Sequence, residues 1–184
     1  ILTSVEFDHA DIYTDMAHVQ RSFRELVEIM PTNGCMIARW DDEGVRDVME
    51  NAQCEIWRYG PGEEWDGHIE EVNTQQGTMA FTVTRKNTPI GTFTSSLVGE
   101  HNLYNQVAAT AAAVRVGVAP NALAHGFQTF QGIKRRQEVI GEPGHITVID
   151  DFAHHPTAVR LTLQALRQKY GGRRLWAIWE PRSA

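Results

Sequence analysis

The first part of the chain alternates between short apolar runs and stretches in which apolar residues recur every three or four positions. Short runs of this kind predict strands, and the helical spacing predicts amphipathic helices. The predicted elements are strands at 1–7, 35–40 and 54–59 and helices at 16–30 and 45–52. Thr14 stands where an N-cap is expected, and Pro31 and Gly34 follow the end of the first helix. Strands that alternate with helices predict an α/β fold with a parallel sheet.

Between residues 60 and 96 the pattern changes, because Thr, Val and Phe now alternate with polar residues. A period of two indicates strands with one buried face, and the polar group 86–89 separates two such runs as a hairpin turn does. This segment predicts an antiparallel hairpin subdomain. Two helices are predicted after it, at 107–116 and 121–130.

A second domain is predicted to begin at about residue 139. Glu142-Pro143-Gly144 interrupts the chain, and beyond it the pattern restarts. The predicted elements there are a strand at 145–149, a helix at 156–170 and a strand at 175–179. Pro156 in the first turn and Gly171 after the end are typical helix boundaries. We therefore predict two domains, 1–138 and 139–184.

Composition narrows the classes of function. The 184 residues carry a formal net charge of −6, which argues against an extended basic surface for nucleic acid or for anionic membranes. Cys35 and Cys54 form no C-x-x-C pair, so we expect neither a disulfide framework nor a zinc site, and a reducing cytoplasm fits best. No apolar run approaches the length of a membrane span, and no basic segment precedes the apolar start at Ile1.

The first polar cluster is Glu6-Phe7-Asp8-His9-Ala10-Asp11, of which residues 8–11 come directly after the first predicted strand. Ligand sites in α/β sheets collect at the carboxyl ends of strands. Carboxylates and an imidazole can hold a divalent cation there, although Mg²⁺ prefers oxygen ligands. A polar turn that caps the next helix explains the same residues.

The second polar cluster runs from Gly99 to Asn105. If a helix begins near Asn102, then Asn102 and Asn105 lie on one face of it, beside the backbone N–H groups that no helical carbonyl accepts. Such a helix N-terminus suits a nucleotide or a phosphate. The alternative is that Asn102 is an N-cap and Asn105 an ordinary surface residue.

The third polar cluster, Asp150-Asp151-Phe152-Ala153-His154-His155-Pro156, follows an apolar run. It combines two acids at a strand end with two imidazoles before a helix, which is again a ligand position in α/β folds. A carboxylate here can bind a ribose hydroxyl, or the cluster can ligate a metal; an N-capping turn with solvent-facing histidines is the alternative. Lys134-Arg135-Arg136 is a compact cation group that can meet phosphates or be a solvated surface run.

In this order the clusters resemble the motifs of the Mur ligases, the ATP-dependent amide-bond ligases of bacterial cell-wall synthesis. The segments that carry the resemblance are 4–11, Gly99-x-His101-Asn102-x-x-Asn105, Phe130-x-Gly132-x-x-x-Arg136-x-Glu138 and Asp150–Thr157. Residues 7–12, 98–102 and 180–183 resemble most the branch of the family that joins L-alanyl-γ-D-glutamyl-meso-diaminopimelate to UDP-N-acetylmuramate.

The resemblance implies a fold and a place in a longer protein. Residues 1–138 would be the second half of a central ATPase domain, a parallel sheet with an antiparallel hairpin subdomain. Residues 139–184 would be the first β-α-β of a Rossmann-like C-terminal domain. The chain contains no G-x-x-x-x-G-K-[ST] motif, so we expect the P-loop to lie upstream and the isolated chain to be inactive.

The resemblance also implies nucleotide-binding roles. The residues concerned are His101, Asn102, Asn105, Arg136 and Asp151. Asn102 and Asn105 would lie near adenine, with Asn105 at its amino edge. Arg136 would reach the nucleotide across the domain junction, and Asp151 would bind the ribose.

The remaining implied roles concern catalysis and metal binding. Arg136, His154 and His155 would act on the phosphate or substrate side, and His9 would bind Mg²⁺ in a loop oriented by Asp8 and Asp11. The implied cofactors are ATP and Mg²⁺, and the implied substrates are UDP-N-acetylmuramate and a murein tripeptide. We expect neither nucleic acid nor a membrane as a partner, and the sequence indicates no oligomeric state.

One feature departs from the family pattern and leaves alternatives open. Several family members use a carbamoylated lysine beyond the metal histidine, but residues 10–85 contain no lysine. The branch that adds L-alanine to UDP-N-acetylmuramate shares this absence and is the alternative within the family. Outside it, the Asp and His groups could serve a binuclear metallophosphoesterase, or the chain could be a non-catalytic nucleotide-binding module.

Overall fold

The computed structural model describes residues 1–180, so residues 181–183 of the resemblance lie outside the described part. The helices are α1 (Met16–Glu28), α2 (Glu43–Met49), α3 (Glu100–Arg115), α4 (Pro120–Thr129) and α5 (Pro156–Lys169). The strands are β1 (Cys35–Arg39), β2 (Glu55–Tyr59), β3 (Trp65–Asn73), β4 (Thr78–Arg85), β5 (Thr88–Ser95), β6 (Glu138–Gly141) and β7 (Val148–Asp150).

The chain divides into two compact units. The first unit comprises Ile1–Gly67, Val83–Gly91 and Tyr104–Pro120. The second unit comprises His68–Thr82, Thr92–Leu103 and the described residues from Asn121 onward. No helix within residues 1–180 is long and apolar enough to cross a membrane.

The sheets confirm the predicted α/β fold with its antiparallel part. One sheet has the strand order β1-β2-β3-β4-β5, and β1 pairs with β2 in parallel from Cys35↔Glu55 to Arg39↔Tyr59. β2 continues in parallel to β3 at Tyr59↔Trp65. A second, two-stranded sheet pairs β6 with β7 in antiparallel. The strand β6 was not predicted from the sequence.

Helices α1 and α2 of the first unit begin at aspartate caps. Asp15 accepts the N–H of His18 at 2.7 Å, and Asp42 accepts the N–H of Val45 at 2.8 Å. Such caps contribute about 1 kcal/mol each. The N-cap of α1 is therefore Asp15 and not Thr14, because the aspartate carboxylate is the group that reaches the free N–H.

The predicted strand at 1–7 is reduced to a single bridge between Leu2 and Ala38. Leu2 and Val5 are buried, so the apolar signal was correct about burial. A Cβ on Gly44 would lie 2.5 Å from the carbonyl oxygen of Val5. The start of α2 therefore packs closely against the backbone at Val5.

Two tryptophans of the first unit stack on each other. The rings of Trp57 and Trp65 have centroids 5.4 Å apart and planes inclined by 28°. The Arg85 guanidinium lies 4.3 Å from the Trp57 centroid and 5.1 Å from that of Trp65, and its Nε donates to Glu64 at 2.9 Å. Trp65 is fully buried.

The hairpin of β4 and β5 turns at Lys86 and Asn87, which have φ values of 50° and 62°. Two consecutive left-handed residues form the tight turn that matches strand twist. In the second unit, Phe81 and Phe93 contact Phe127 of α4 with centroids 5.5 Å and 5.3 Å away. These aromatic contacts bury one face of the hairpin, as its alternation predicted.

Helix α5 packs closely on the segment that precedes α3 in the second unit. A Cβ on Gly99 would lie 2.5 Å from the Cβ of Ala165, and Gly99 has a φ of 112°. Lys169 Nζ donates to the carbonyl oxygen of Ser96 at 3.2 Å, and burial lowers the pKa of Lys169. The packing therefore needs glycine at 99 for two reasons, close approach and backbone conformation.

Two predicted elements near polar segments differ from the structure. α3 begins at Glu100, before the predicted start at 107, because its first turns carry polar residues that hid the pattern. The apolar run at 175–179 forms no strand. A strand needs a neighbour to accept its N–H groups, and within residues 1–180 no strand pairs with this run.

Candidate functional site

The first turns of α3 carry the polar residues of the second cluster. His101 and Asn102 are partly buried, whereas Asn105 is exposed. Nδ2 of Asn102 donates to the carbonyl oxygen of Val98 at 2.9 Å. Because the helix begins at Glu100, Asn102 lies inside its first turn and is not the N-cap. Asn102 and Asn105 remain three residues apart on one helix, as the second-cluster prediction requires.

Gln137 connects this helix end with the third cluster inside the second unit. Its side-chain Nε2 lies 3.4 Å from Nε2 of His101, and its backbone N–H donates to Oδ2 of Asp151 at 2.8 Å. An amide NH₂ only donates, so the first contact requires an unprotonated Nε2 on His101. The structure thus brings His101 and Asp151 to the same residue, which the sequence did not single out.

The carboxylate of Asp151 is oriented by two backbone groups. Oδ2 accepts the N–H of Gln137 and Oδ1 accepts the N–H of Ala153, both at 2.8 Å. Each carboxylate oxygen has a second lone pair and can accept a further donor. A ribose hydroxyl is a donor of this kind, so the geometry is compatible with the predicted role.

The two arginines of the cation group have different surroundings. Arg135 donates its backbone N–H to Glu138 at 2.8 Å, and its Nε lies 3.4 Å from Oδ2 of Asp150. Its guanidinium lies 4.8 Å from the ring centroid of Phe152. Arg136 is exposed, with its guanidinium 5.9 Å from the same ring. Both arginines are exposed, and they differ in that Arg135 makes an ion pair and the shorter contact with the Phe152 ring.

The loop around Arg136 has an unusual backbone. Arg135 and Gln137 have φ values of 58° and 52°, in the left-handed region that β-carbon-bearing residues rarely adopt. The N–H of Phe152 donates to the carbonyl oxygen of Arg135 at 2.8 Å, and Asp151 binds the N–H of Gln137. These bonds from the third cluster hold both strained residues.

The two histidines before α5 make different contacts. Nδ1 of His155 accepts the N–H of Thr157 at 3.3 Å, so His155 is the N-cap of α5. Nδ1 of His154 lies 3.1 Å from the carbonyl oxygen of Phe152, to which it can only donate. The capping interpretation therefore describes His155, while the catalytic roles of both histidines stay predictions.

His9 lies in an exposed turn of the first unit. Its N–H donates to Oδ1 of Asp8 at 2.7 Å, and its carbonyl oxygen accepts the N–H groups of Ile12 and Tyr13. Among residues 1–180, no group of three or more His, Cys, Asp or Glu residues is placed to hold a metal ion. The metallophosphoesterase hypothesis therefore finds no ligand set in the described chain. His9 alone does not make a Mg²⁺ site.

A charged network of the first unit surrounds Tyr104, the residue before Asn105. Arg39 donates from Nε and Nη2 to both oxygens of Asp41, at 2.8 Å and 3.0 Å, and its guanidinium lies 4.6 Å from the Tyr104 ring centroid. Burial is the largest single influence on Asp41 and opposes its charge, but the hydrogen bond and the positive charge of Arg39, with smaller help from a backbone N–H and Arg46, together outweigh it and lower the Asp41 pKa. Sequence patterns gave no signal for this network.

Two family models match the chain. Residues 1–113 match the Mur ligase middle domain, and residues 135–184 match the Mur ligase glutamate ligase domain. The UDP-N-acetylmuramate–L-alanyl-gamma-D-glutamyl-meso-2,6-diaminoheptandioate ligase of Escherichia coli (strain K12) is 41% identical over 184 residues, covering 100% of this chain and 40% of the relative.

Further relatives give the same picture. The UDP-N-acetylmuramate–L-alanine ligase of Alkaliphilus metalliredigens (strain QYMF) is 33% identical over 183 residues, covering 98% of this chain and 39% of the relative. The crystal structure of a murein peptide ligase from Psychrobacter arcticus 273-4 superposes with a TM-score of 0.64 at 33% identity, covering 99% of this chain and 37% of that one.

The chain belongs to the Mur ligase family, as its motifs predicted. It spans about two fifths of the length of the curated relatives it matches. The mixed parallel and antiparallel architecture agrees with this assignment.

Proposed function

We propose that the chain is part of an ATP-dependent ligase that joins the L-alanyl-γ-D-glutamyl-meso-diaminopimelate tripeptide to UDP-N-acetylmuramate in the cytoplasm, during peptidoglycan recycling. The observation that carries the proposal is the connection through Gln137, which links His101 at the start of α3 to Asp151. Two polar clusters far apart in sequence meet at one residue. The relative at 41% identity is named as the ligase for these two substrates, which supports their choice here.

The proposed nucleotide contacts use polar side chains of the second and third clusters and of the cation group. The Asn105 amide carries a donor and an acceptor side by side, which matches the amino edge of adenine. We assign Asn102 and His101 to the adenine end of the nucleotide and Asp151 to the ribose hydroxyls. Arg136, which is exposed in a strained loop, is assigned to the phosphates.

In the proposed reaction, the lactyl carboxylate of UDP-N-acetylmuramate attacks the γ-phosphorus of ATP, the bond to ADP breaks, and an acyl phosphate forms. The tripeptide amine then attacks the acyl carbon, loses a proton and displaces phosphate to leave an amide. Negative charge gathers on phosphoryl and tetrahedral oxygens in both steps, where arginine stabilises it. We assign this role to Arg136, and positions beside the phosphate or the substrate to His154 and His155.

Mg²⁺ would supply further charge stabilisation at the phosphates. The described residues contribute one candidate ligand, His9, and Mg²⁺ commonly retains waters and binds substrate phosphates. A Mg²⁺ ion at His9 would therefore take its other ligands from phosphate oxygens and water. We propose His9 as a ligand of this kind.

Calorimetry with ADP tests the nucleotide site. We expect the wild-type chain to bind ADP and Asn105→Ala to weaken binding about tenfold, the scale of one or two lost hydrogen bonds. The control is Asn121→Ala, an exposed asparagine in the first turn of α4, which should retain wild-type affinity. Absence of ADP binding by the wild-type chain would contradict the proposal.

A ligation assay tests the reaction and the amine substrate. The isolated chain should form no amide from ATP, UDP-N-acetylmuramate and tripeptide. The full-length ligase should form the tripeptide product and discriminate against free L-alanine. Faster turnover with L-alanine would assign the protein to the other branch, to which the relative at 33% identity belongs by name.

A further inference from the structure

The network around Tyr104 reaches α3 from two sides. On one side, the Arg39 guanidinium stacks on the Tyr104 ring at 4.6 Å while Asp41 holds it by two hydrogen bonds. On the other, the Tyr104 hydroxyl donates to Oδ1 of Asp66 at 3.3 Å. Tyr104 itself is 5% exposed. One buried aromatic residue of α3 is therefore held between a fixed cation and a carboxylate.

The Asp66 carboxylate is itself fixed by one backbone N–H of the loop before β3 and by one within β3. Oδ2 accepts the N–H of Gly62 at 2.8 Å, and Oδ1 accepts the N–H of Gly67 at 2.7 Å. The hydrogen bond from Tyr104 thus ends on a group that backbone N–H donors orient. Movement of the Tyr104 ring would disturb both this bond and the stacking on Arg39.

Tyr104 is the largest buried side chain of α3, so a rotation of the helix displaces the end of this side chain furthest. The other buried residues of the helix are Leu103, Gln106, Val107, Ala108, Thr110 and Ala111. A rotation of α3 by about 20° would move a side-chain end by about 2 Å, given the radius of a helix with its side chains. That displacement exceeds the tolerance of a hydrogen bond. Asn105 follows Tyr104 directly and would be displaced with it.

We propose that Arg39 and Tyr104 are positioning residues that fix the rotation of α3 and so make Asn105 selective for adenine. The inference rests on the proposed nucleotide site. It assigns selectivity to side chains of β1 and α3 that do not themselves touch the base. The network acts in the free protein, before any nucleotide binds.

The test compares the affinities for ADP and IDP, which differ in the group at position 6 of the base. We expect the wild-type chain to prefer ADP, Arg39→Met to reduce the preference about fivefold, and Tyr104→Phe to reduce it about twofold, in line with the worth of neutral hydrogen bonds. A merely structural defect would weaken both nucleotides equally and leave the ratio unchanged. Arg39→Lys, which keeps the charge but loses the planar contact, should resemble Arg39→Met.

The matched control is Arg58→Met. The Arg58 guanidinium lies 4.3 Å from the ring centroid of Trp40, a stacking contact of the same kind that does not involve α3. This variant should keep the wild-type ratio of affinities. If the wild type, Arg39→Met and Tyr104→Phe all showed the same ratio of ADP affinity to IDP affinity, the inference would be overturned. The proposed function would still stand in that case, provided that the chain binds ADP.

Amide hydrogen exchange of the unliganded chain provides a second readout that needs no nucleotide. We expect Arg39→Met to speed exchange at residues 103–107 of α3 and Arg58→Met to leave it unchanged. If the wild-type chain bound no nucleotide, both the proposed function and the inference about adenine selectivity would fail. The exchange rates would still show whether Arg39 restrains α3. Unchanged exchange in Arg39→Met would overturn the anchoring role.

Discussion

The backbone N–H of Gln137 donates to Oδ2 of Asp151 at 2.8 Å, so a left-handed residue in one polar segment is held by a carboxylate of another. Asp151 also accepts the N–H of Ala153. Its side chain therefore organises two loops, in addition to the ribose contact that we propose for it.

We expect Asp151→Asn to destabilise the chain by about 1–3 kcal/mol, because one carboxylate oxygen becomes an NH₂ group that faces a backbone donor. Urea denaturation measures the loss. The control is Asp150→Asn, whose partner Arg135 lies 3.4 Å away in a pair with side chains 58% and 41% exposed. An exposed pair of this kind contributes under about 1 kcal/mol. Equal losses in the two variants would contradict the organising role of Asp151.

We expect Gly99→Ala to destabilise the second unit by about 1–3 kcal/mol through overpacking against Ala165, with backbone strain in addition. The double variant Gly99→Ala, Ala165→Gly removes the facing Cβ and should recover part of the loss, but not the part due to the φ of 112°. Thermal unfolding of both variants and of Ala165→Gly alone separates the two causes. No recovery in the double variant would show that the close approach is not limiting.

The Arg39–Asp41 pair should make stability depend on acid pH. The Asp41 pKa is lowered in the folded chain, so its contribution is present above the unfolded value of about 3.9 and is lost as the pH falls through the lower folded pKa. The stability difference between the wild type and Asp41→Asn should therefore shrink below about pH 4. Asp47→Asn, an exposed carboxylate on α2, is the control. A difference independent of pH would contradict the assignment.

Tyr59 should make the chain sensitive to alkali. Burial raises the Tyr59 pKa to about 12, whereas an unfolded tyrosine ionises at about 10. Between these values the unfolded state binds fewer protons, so stability falls as the pH rises. We expect Tyr59→Phe to flatten this fall, and the ultraviolet absorbance of tyrosinate to show one late-titrating residue fewer. A titration unaltered by the substitution would place the late ionisation elsewhere.

The capping contact of His155 can be separated from its proposed catalytic role. Asparagine is a good N-cap, so His155→Asn should keep the stability of α5, whereas His155→Ala should lose about 1 kcal/mol. In the full-length ligase, a large loss of turnover in His155→Asn at unchanged stability would support catalysis. Normal turnover would leave His155 as a cap alone.

Elements with a local burial pattern were predictable from the sequence. α1, α5, β1 and β2 lie within a few residues of their predicted bounds, because one buried face repeats along each of them. The run at 175–179 shows the limit of this signal, since an apolar segment forms a strand only beside a partner. Helix α3 shows a second limit of the burial pattern, because polar side chains in its first turns interrupt the pattern.

The candidate site was predictable only as separate clusters. The motifs indicated His101 and Asp151, but not that both contact Gln137. Their connection uses a backbone N–H of Gln137, which every non-proline residue has, so no side-chain pattern marks it. The network at Tyr104 was missed because Arg39 and Tyr104 lie far apart in the sequence and no local pattern marks their contact.

The stacked tryptophans offer an optical signal for one unit. Two indole rings with centroids 5.4 Å apart should couple electronically and produce a paired positive and negative band in circular dichroism. Trp176 and Trp179, at 83% and 51% exposure, lie outside this pair. Loss of the paired bands on heating would therefore report melting of the first unit, and a Trp57→Phe variant would serve as the spectral blank.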